Sequence, residues 1–313
     1  MSKLKLAITP YLFLVLLTVF GVACEDDAVT PPSNNFEPAP AFVLAWGSQG
    51  AGDGQFGTGP TGVAVWEDTV FVADLGNYRI QKFDATGNFI MSWGSRGAGD
   101  GQFDWPYHVA LDGGGAVYVT DGNRVQKFDR DGNFIAQWPM NVGNGVAGGI
   151  AIDGTGVVYV SDPNNSRIQK FAAADGNFLG DMGSNGNADG QFNHPRGLAV
   201  DASDNLYVVD NGNHRIQKFD SGGNFVTKWG KRGSRLGEFE TIFTIAVAGN
   251  RVYVVDSGLS RIQVFDTSGK VQTWWGSQGS GDGQFEDAGG IAVAGDGSVY
   301  VTDWGNVRIQ KFK

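Results

Sequence analysis

The chain has 313 residues, a length that leaves open one large domain or two ordinary ones. Glycine supplies 49 of them, about double its usual share, and Val, Ile, Phe, Tyr and Trp recur in short runs, a composition that reads as many short strands joined by tight turns. A formal net charge of −10 argues against a nucleic-acid partner, which needs a dense basic footprint.

The chain opens with Lys3 and Lys5 before an apolar run from about Leu6 to Ala23, too short and too N-terminal for a core helix. It reads as an export signal over residues 1–23. The run stops at Gly21-Val22-Ala23-Cys24, which resembles the lipobox of bacterial lipoproteins, in which the cysteine is acylated and becomes the mature N-terminus. Gly21 departs from the bulky aliphatic residue usual at its place. Cys24 is the single cysteine, so no internal disulfide can form, and a thiol at that place predicts lipid attachment. Residues 24–41, with Glu25-Asp26-Asp27 and several prolines, are expected to be an acidic tether. The protein is therefore expected to be exported to a bacterial cell envelope and to meet the membrane only through its lipid.

From about Phe42 onward one unit recurs. Ile80-Gln81-Lys82-Phe83 returns in six copies, each preceded by an arginine: Arg79, Arg124, Arg167, Arg215, Arg261 and Arg308. Their spacing of roughly 43 to 48 residues is that of a four-stranded propeller blade. In the clearest copy the strands are expected at 197–201, 206–210, 215–219 and 224–229, separated by Asn, Asp, Ser and Gly turns. The third strand alternates apolar and polar residues as a half-exposed strand does.

The run Asn193-His194-Pro195-Arg196-Gly197-Leu198-Ala199-Val200-Asp201, followed by Asn213-His214-Arg215-Ile216-Gln217, resembles the NHL repeat. The resemblance covers residues 42–313 and implies an all-β fold, a six-bladed β-propeller of four-stranded antiparallel blades. The last unit ends after its third strand, whereas Phe42-Val43-Leu44-Ala45-Trp46-Gly47 matches fourth strands such as Phe89-Ile90-Met91-Ser92-Trp93-Gly94. The N-terminal strand should therefore complete the C-terminal blade and leave no open edge.

Alternating connections put the second-to-third turns and the crossings between blades on one face. All the long segments belong to that face, which is where a ligand is expected. Five crossings end in Phe56, Phe103, Phe192, Phe239 and Phe285, four of them after a Gly-Asp-Gly-Gln or Ala-Asp-Gly-Gln run. One carboxylate per loop is too few for calcium, so the phenylalanines are expected to wedge between blades. The aspartates ending each second strand and the repeat arginines are expected to fix turns.

Unit 2 departs most. Asp121-Gly122-Asn123-Arg124 is two residues short, the crossing 139–148 lacks the shared element, and His108 stands where other units carry Gly62, Gly149, Gly197 and Gly290. A notch in the rim is expected there, with Trp105, Tyr107 and His108 as ligand contacts, together with Arg196 and His214 of unit 4. A protein, peptide or glycan is the expected partner. His108, His194 and His214 occupy non-equivalent places, poorly suited to converge on zinc, and no cofactor is expected, although a calcium ion in the channel stays open. A metal-assisted hydrolase or lyase, the activity of some relatives of this fold, is the alternative.

Overall fold

The computed structural model describes residues 36–143 and 145–313; residues 1–35, and with them the expected signal segment, Cys24 and most of the tether, lie outside the described residues. Each repeat folds as an antiparallel four-stranded sheet, and six sheets form the propeller. In blade 1 the strands are Val63–Trp66, Thr69–Asp74, Arg79–Asp84 and Phe89–Trp93. The second strand is covered on both faces, which explains its apolar run: Val70, Phe71, Val72 and Ala73 are all buried. The outermost strand keeps the period-two pattern, as in Phe225–Trp229 of blade 4, where Val226 and Lys228 point to solvent.

The first strands of blades 2 to 6, Pro106–Leu111, Ile150–Ile152, Pro195–Val200, Ile242–Ala248 and Ala288–Val293, pack beside that of blade 1 around a central channel. Phe42–Trp46 pairs antiparallel with Arg308–Phe312, Phe42 opposite Phe312 and Trp46 opposite Ile309, and this pairing closes the ring. Ala41 and Lys313 extend the ladder by exchanging backbone hydrogen bonds of 2.7 and 2.8 Å. Docking begins earlier than the expected boundary at Phe42: the Glu37 amide donates to the Gln272 carbonyl at 3.0 Å, and Glu37 pairs with Arg251. Arg251 begins the strand Arg251–Asp256 and Gln272 is the second residue of Val271–Trp275, so the chain enters on the face of the short turns.

The third strand is not half-exposed. Its glutamine, Gln81 in blade 1, is fully buried. It donates to the Asp74 carboxylate at 3.0 Å and to the Gln55 carbonyl at 2.7 Å, while its own oxygen receives the Gly54 amide. Arg79 Nε reaches Asp74 at 2.8 Å and its terminal nitrogen bonds the Gln55 carbonyl. The same Asp–Arg contact recurs in every blade, so twelve charges that look like a recognition surface instead pin each crossing to the turn beside it.

Beneath the crossings Phe56, Phe103, Phe192, Phe239 and Phe285 are fully buried. Phe56 packs in one cluster with Phe83 of blade 1 and Tyr300 of blade 6, a wedge between blades. The loop above it closes on itself, with Gly50 N–H donating to the Phe56 carbonyl and Gly52 N–H to Gln55 Oε1, each at 3.0 Å. Among the described residues no three His, Cys, Asp or Glu gather as metal ligands. In the divergent crossing from blade 2 to blade 3, Met140, Val142 and Ala147 fill the space of the missing phenylalanine.

Candidate functional site

Neighbouring first strands approach so closely at the mouth of the channel that glycine is required. A Cβ on Gly197 would lie 2.5 Å from the Thr244 Cα, and one on Gly62 would lie 2.7 Å from the His108 Cα. Gly62, Gly149, Gly197 and Gly290 thus form a ring of equivalent positions, interrupted by His108 in blade 2 and Thr244 in blade 5. In a ring of six, those two blades are diametrically opposed.

The residue before each of these positions lines the mouth: Thr61, Tyr107, Gly148, Arg196, Phe243 and Gly289 in blade order. Three are small and three are large. The large ones meet, because His108 stacks on Phe243 with ring centroids 6.2 Å apart, Tyr107 stands edge-on to Phe243 at 6.0 Å, and the Arg196 guanidinium covers the Phe243 ring at 5.2 Å. Backbone contacts fix where they start: Gly62 N–H donates to the Tyr107 carbonyl at 2.9 Å, and Ser161 Oγ donates to the Arg196 carbonyl at 2.7 Å.

This bar divides the mouth into two lobes. On the side of blades 1, 5 and 6 lies a cavity of about 410 Å³ whose wall includes Pro60, Leu75, Trp105 and Trp304. On the side of blade 3 lies one of about 290 Å³, reaching Gly148, Pro163 and His194. Tyr107, Arg196, Phe243 and Trp105 border both. Trp105 and Trp304 are 46% and 41% exposed, so each presents apolar surface to an incoming molecule.

Among the described residues Arg196 is the one arginine or lysine lining either lobe, and Asp287 lines the larger. Arg196 Nε is buried without a hydrogen-bond partner, and among the described residues no carboxylate stands within salt-bridge distance of its guanidinium. The charge is felt by its neighbours. Burial, reinforced by Arg196, holds His108 at about 4, below its ordinary 6.5. His194 is lowered by the same two causes in the same order, and burial raises Tyr107 against the opposing pull of Arg196.

Of the residues expected from sequence, the fold therefore unites Trp105, Tyr107, His108 and Arg196. His214 is not among them: it ends the second-to-third turn of blade 4 in a left-handed conformation, φ 53°, and lines neither lobe. Beside the shortened turn, Gly122, Asn123, Arg124 and Pro139 line a separate cavity of about 760 Å³ that Trp105, Tyr107 and His108 do not border. Phe243 and Trp304 were not anticipated. Aligning the six copies exposes Phe243 as the large residue opposite Tyr107, and Trp304 occupies the turn position held elsewhere by Leu75, Gly122, Pro163, Asn211 and Ser257.

The family model described as NHL repeat matches residues 58–83, 192–219 and 285–312, each spanning the end of a crossing and the three strands after it. The chain carries NHL repeats. No curated protein matches it in sequence. Among solved structures, the NHL propeller is similar to a protein of unknown function from Bacteroides thetaiotaomicron, with 18% identity, a TM-score of 0.67 and 88% of this chain and 76% of that one covered. An auxiliary nutrient binding protein from the same organism gives 12% identity, a TM-score of 0.62 and 82% and 69% coverage. Virginiamycin B lyase from Staphylococcus aureus gives 14%, 0.58, and 82% and 95%. At these identities the likeness is one of fold.

Proposed function

We propose that this NHL propeller is a binding module of the cell envelope, held there by a lipid on Cys24, whose channel mouth takes up part of a protein, a peptide or a glycan. One observation carries the reading: Trp105, Tyr107, Phe243 and Trp304 converge around a single unpaired guanidinium, so apolar contact area and a directional polar group share one concavity. The route of the chain suits an anchor. Residues 37–41 dock on the short-turn face, so a tether beginning at Cys24 would present the mouth away from the membrane. The nutrient-binding neighbour is compatible with this role, and the lyase neighbour with the alternative of a metal-assisted hydrolase or lyase at the same mouth.

The test is capture from an envelope extract by the full chain, compared with a Trp105→Ala/Trp304→Ala variant. Both indoles are largely exposed, so the fold should survive, and the captured ligand should be lost. Undiminished capture would refute the site. Stoichiometric zinc in the purified protein would move the reading to the enzyme.

A further inference from the structure

We infer that the mouth recognises a carboxylate carried on an aromatic body, with the Arg196 guanidinium as the partner of the anion; this rests on the binding-module reading and names its ligand chemistry. The argument begins with an exception. Each of the six repeat arginines has an aspartate at 2.6 to 3.1 Å, whereas Arg196, the arginine at the mouth, has none among the described residues. A half-buried guanidinium with an orphaned Nε has lost hydration without regaining a partner, a cost that an arriving anion reverses. What sets it apart from an unpaired surface arginine is its place: it lines a concavity with Trp105, Phe243 and Trp304, where an external anion can reach it.

The geometry prepares that encounter. The guanidinium is laid on the Phe243 ring and its backbone is held by Ser161, so its fork is oriented before any ligand arrives. It borders both lobes, and the larger, at about 410 Å³, is of small-ligand size. The remaining wall selects the body: Trp105, Trp304, Leu75 and Pro60 offer rings and aliphatic surface. Charge selects the anion. One guanidinium matches a monoanion, while Asp287 on the same wall and the acidity of the chain disfavour a phosphate dianion.

Calorimetry on the full chain with 2-naphthylacetate, 2-naphthylacetamide and 2-naphthyl phosphate tests the assignment. The acid should bind about tenfold or more tightly than the amide, as a charge-assisted hydrogen bond to a desolvated partner implies, and more tightly than the phosphate. Arg196→Met should erase the preference for the acid over the amide. Should that variant fail to fold, Arg196→Lys serves: it keeps the charge, loses the fork, and should narrow the preference. Equal binding of acid and amide would overturn the anion assignment and leave the aromatic binding site standing. Tighter binding of the phosphate, a preference that survives Arg196→Met, or no saturable binding of any probe would each overturn the inference. An N-acetylated dipeptide ending in phenylalanine with a free carboxylate offers the same chemistry from a chain end. If it binds more tightly than 2-naphthylacetate the source is a peptide terminus, and if more weakly, a free acid.

Discussion

His108 of blade 2 reaches across the channel to stack on Phe243 of blade 5, 6.2 Å between ring centroids and 27° between planes. That contact buries an imidazole beside the Arg196 charge, and both effects favour the neutral form. The unfolded chain takes up a proton near the ordinary value of 6.5, whereas the native state resists until about pH 4. Stability should therefore fall as the pH drops from about 6.5 to 4 and lose nothing further to this group below that. The loss attributable to His108 approaches about 3 kcal/mol. His108→Asn should flatten that part of the profile, measured as the difference in urea midpoint between pH 7 and pH 4.5; an unchanged profile would show that the histidine titrates normally.

Arg261 and Asp256 make the most buried of the six repeated ion pairs, with side-chain exposures of 6% and 0%. Burial already raises the Asp256 pKa, with Arg261 the main opposing influence. Arg261→Met should strand the carboxylate and cost about 3–5 kcal/mol at neutral pH. Because a raised carboxyl takes up a proton earlier in the native state than in the unfolded one, the deficit should shrink as the pH is lowered. Asp256→Leu in the same variant removes the stranded charge but also the acceptor of the Glu240 and Thr241 amides, so it should recover only part of the loss. Denaturant unfolding at two pH values measures all three.

The blade count and the ring closure were legible in the sequence because a recurring Arg-Ile-Gln-Lys-Phe element makes each of six copies report on the others. The mouth was legible only in part. His108 stood out because it breaks a row of glycines, but Phe243 replaces a residue that already varies among Thr61, Tyr107, Gly148, Arg196 and Gly289, so nothing local marked it. Its importance comes from facing blade 2 across the ring, a relation of 135 residues in sequence that only closure creates. His214 misled for the opposite reason. A histidine in a turn resembles a ligand contact, whereas its place is a left-handed position that Tyr78, Ser166, Ser260 and Val307 fill in other blades. The third strand misled through its alternation, since period two reports a change of face, and here the polar face is the buried Asp–Arg–Gln network.

The glycine ring should tolerate no side chain where strands abut. Gly197→Ala would place a Cβ 2.5 Å from the backbone of Thr244, and the strand must shift to accept it. A destabilisation of about 1–3 kcal/mol is expected. Gly113→Ala, with open space around it, should be neutral in the same melt. Equal effects at the two positions would mean that the first strands are less tightly apposed than the ring implies.

Closure of the propeller depends on a strand that is 262 residues away in sequence from the start of its partner: Trp46 opposite Ile309 and Phe42 opposite Phe312. Trp46 also packs on Phe83 of blade 1 at 5.8 Å and on Tyr300 of blade 6 at 6.1 Å, so the same strand seals one sheet and bridges two blades. A chain beginning at Gly47 would keep every other blade intact but leave the Arg308–Phe312 edge unpaired. An open apolar edge of this kind recruits another chain. The shortened protein should therefore unfold at lower denaturant with a broader transition, and it should self-associate in sedimentation experiments. A peptide spanning 37–46 added in trans should restore the monomer, since its backbone supplies the missing ladder. A shortened chain that stayed monomeric and melted like the full one would show that blade 6 is stable with three strands and that the ring needs no seal.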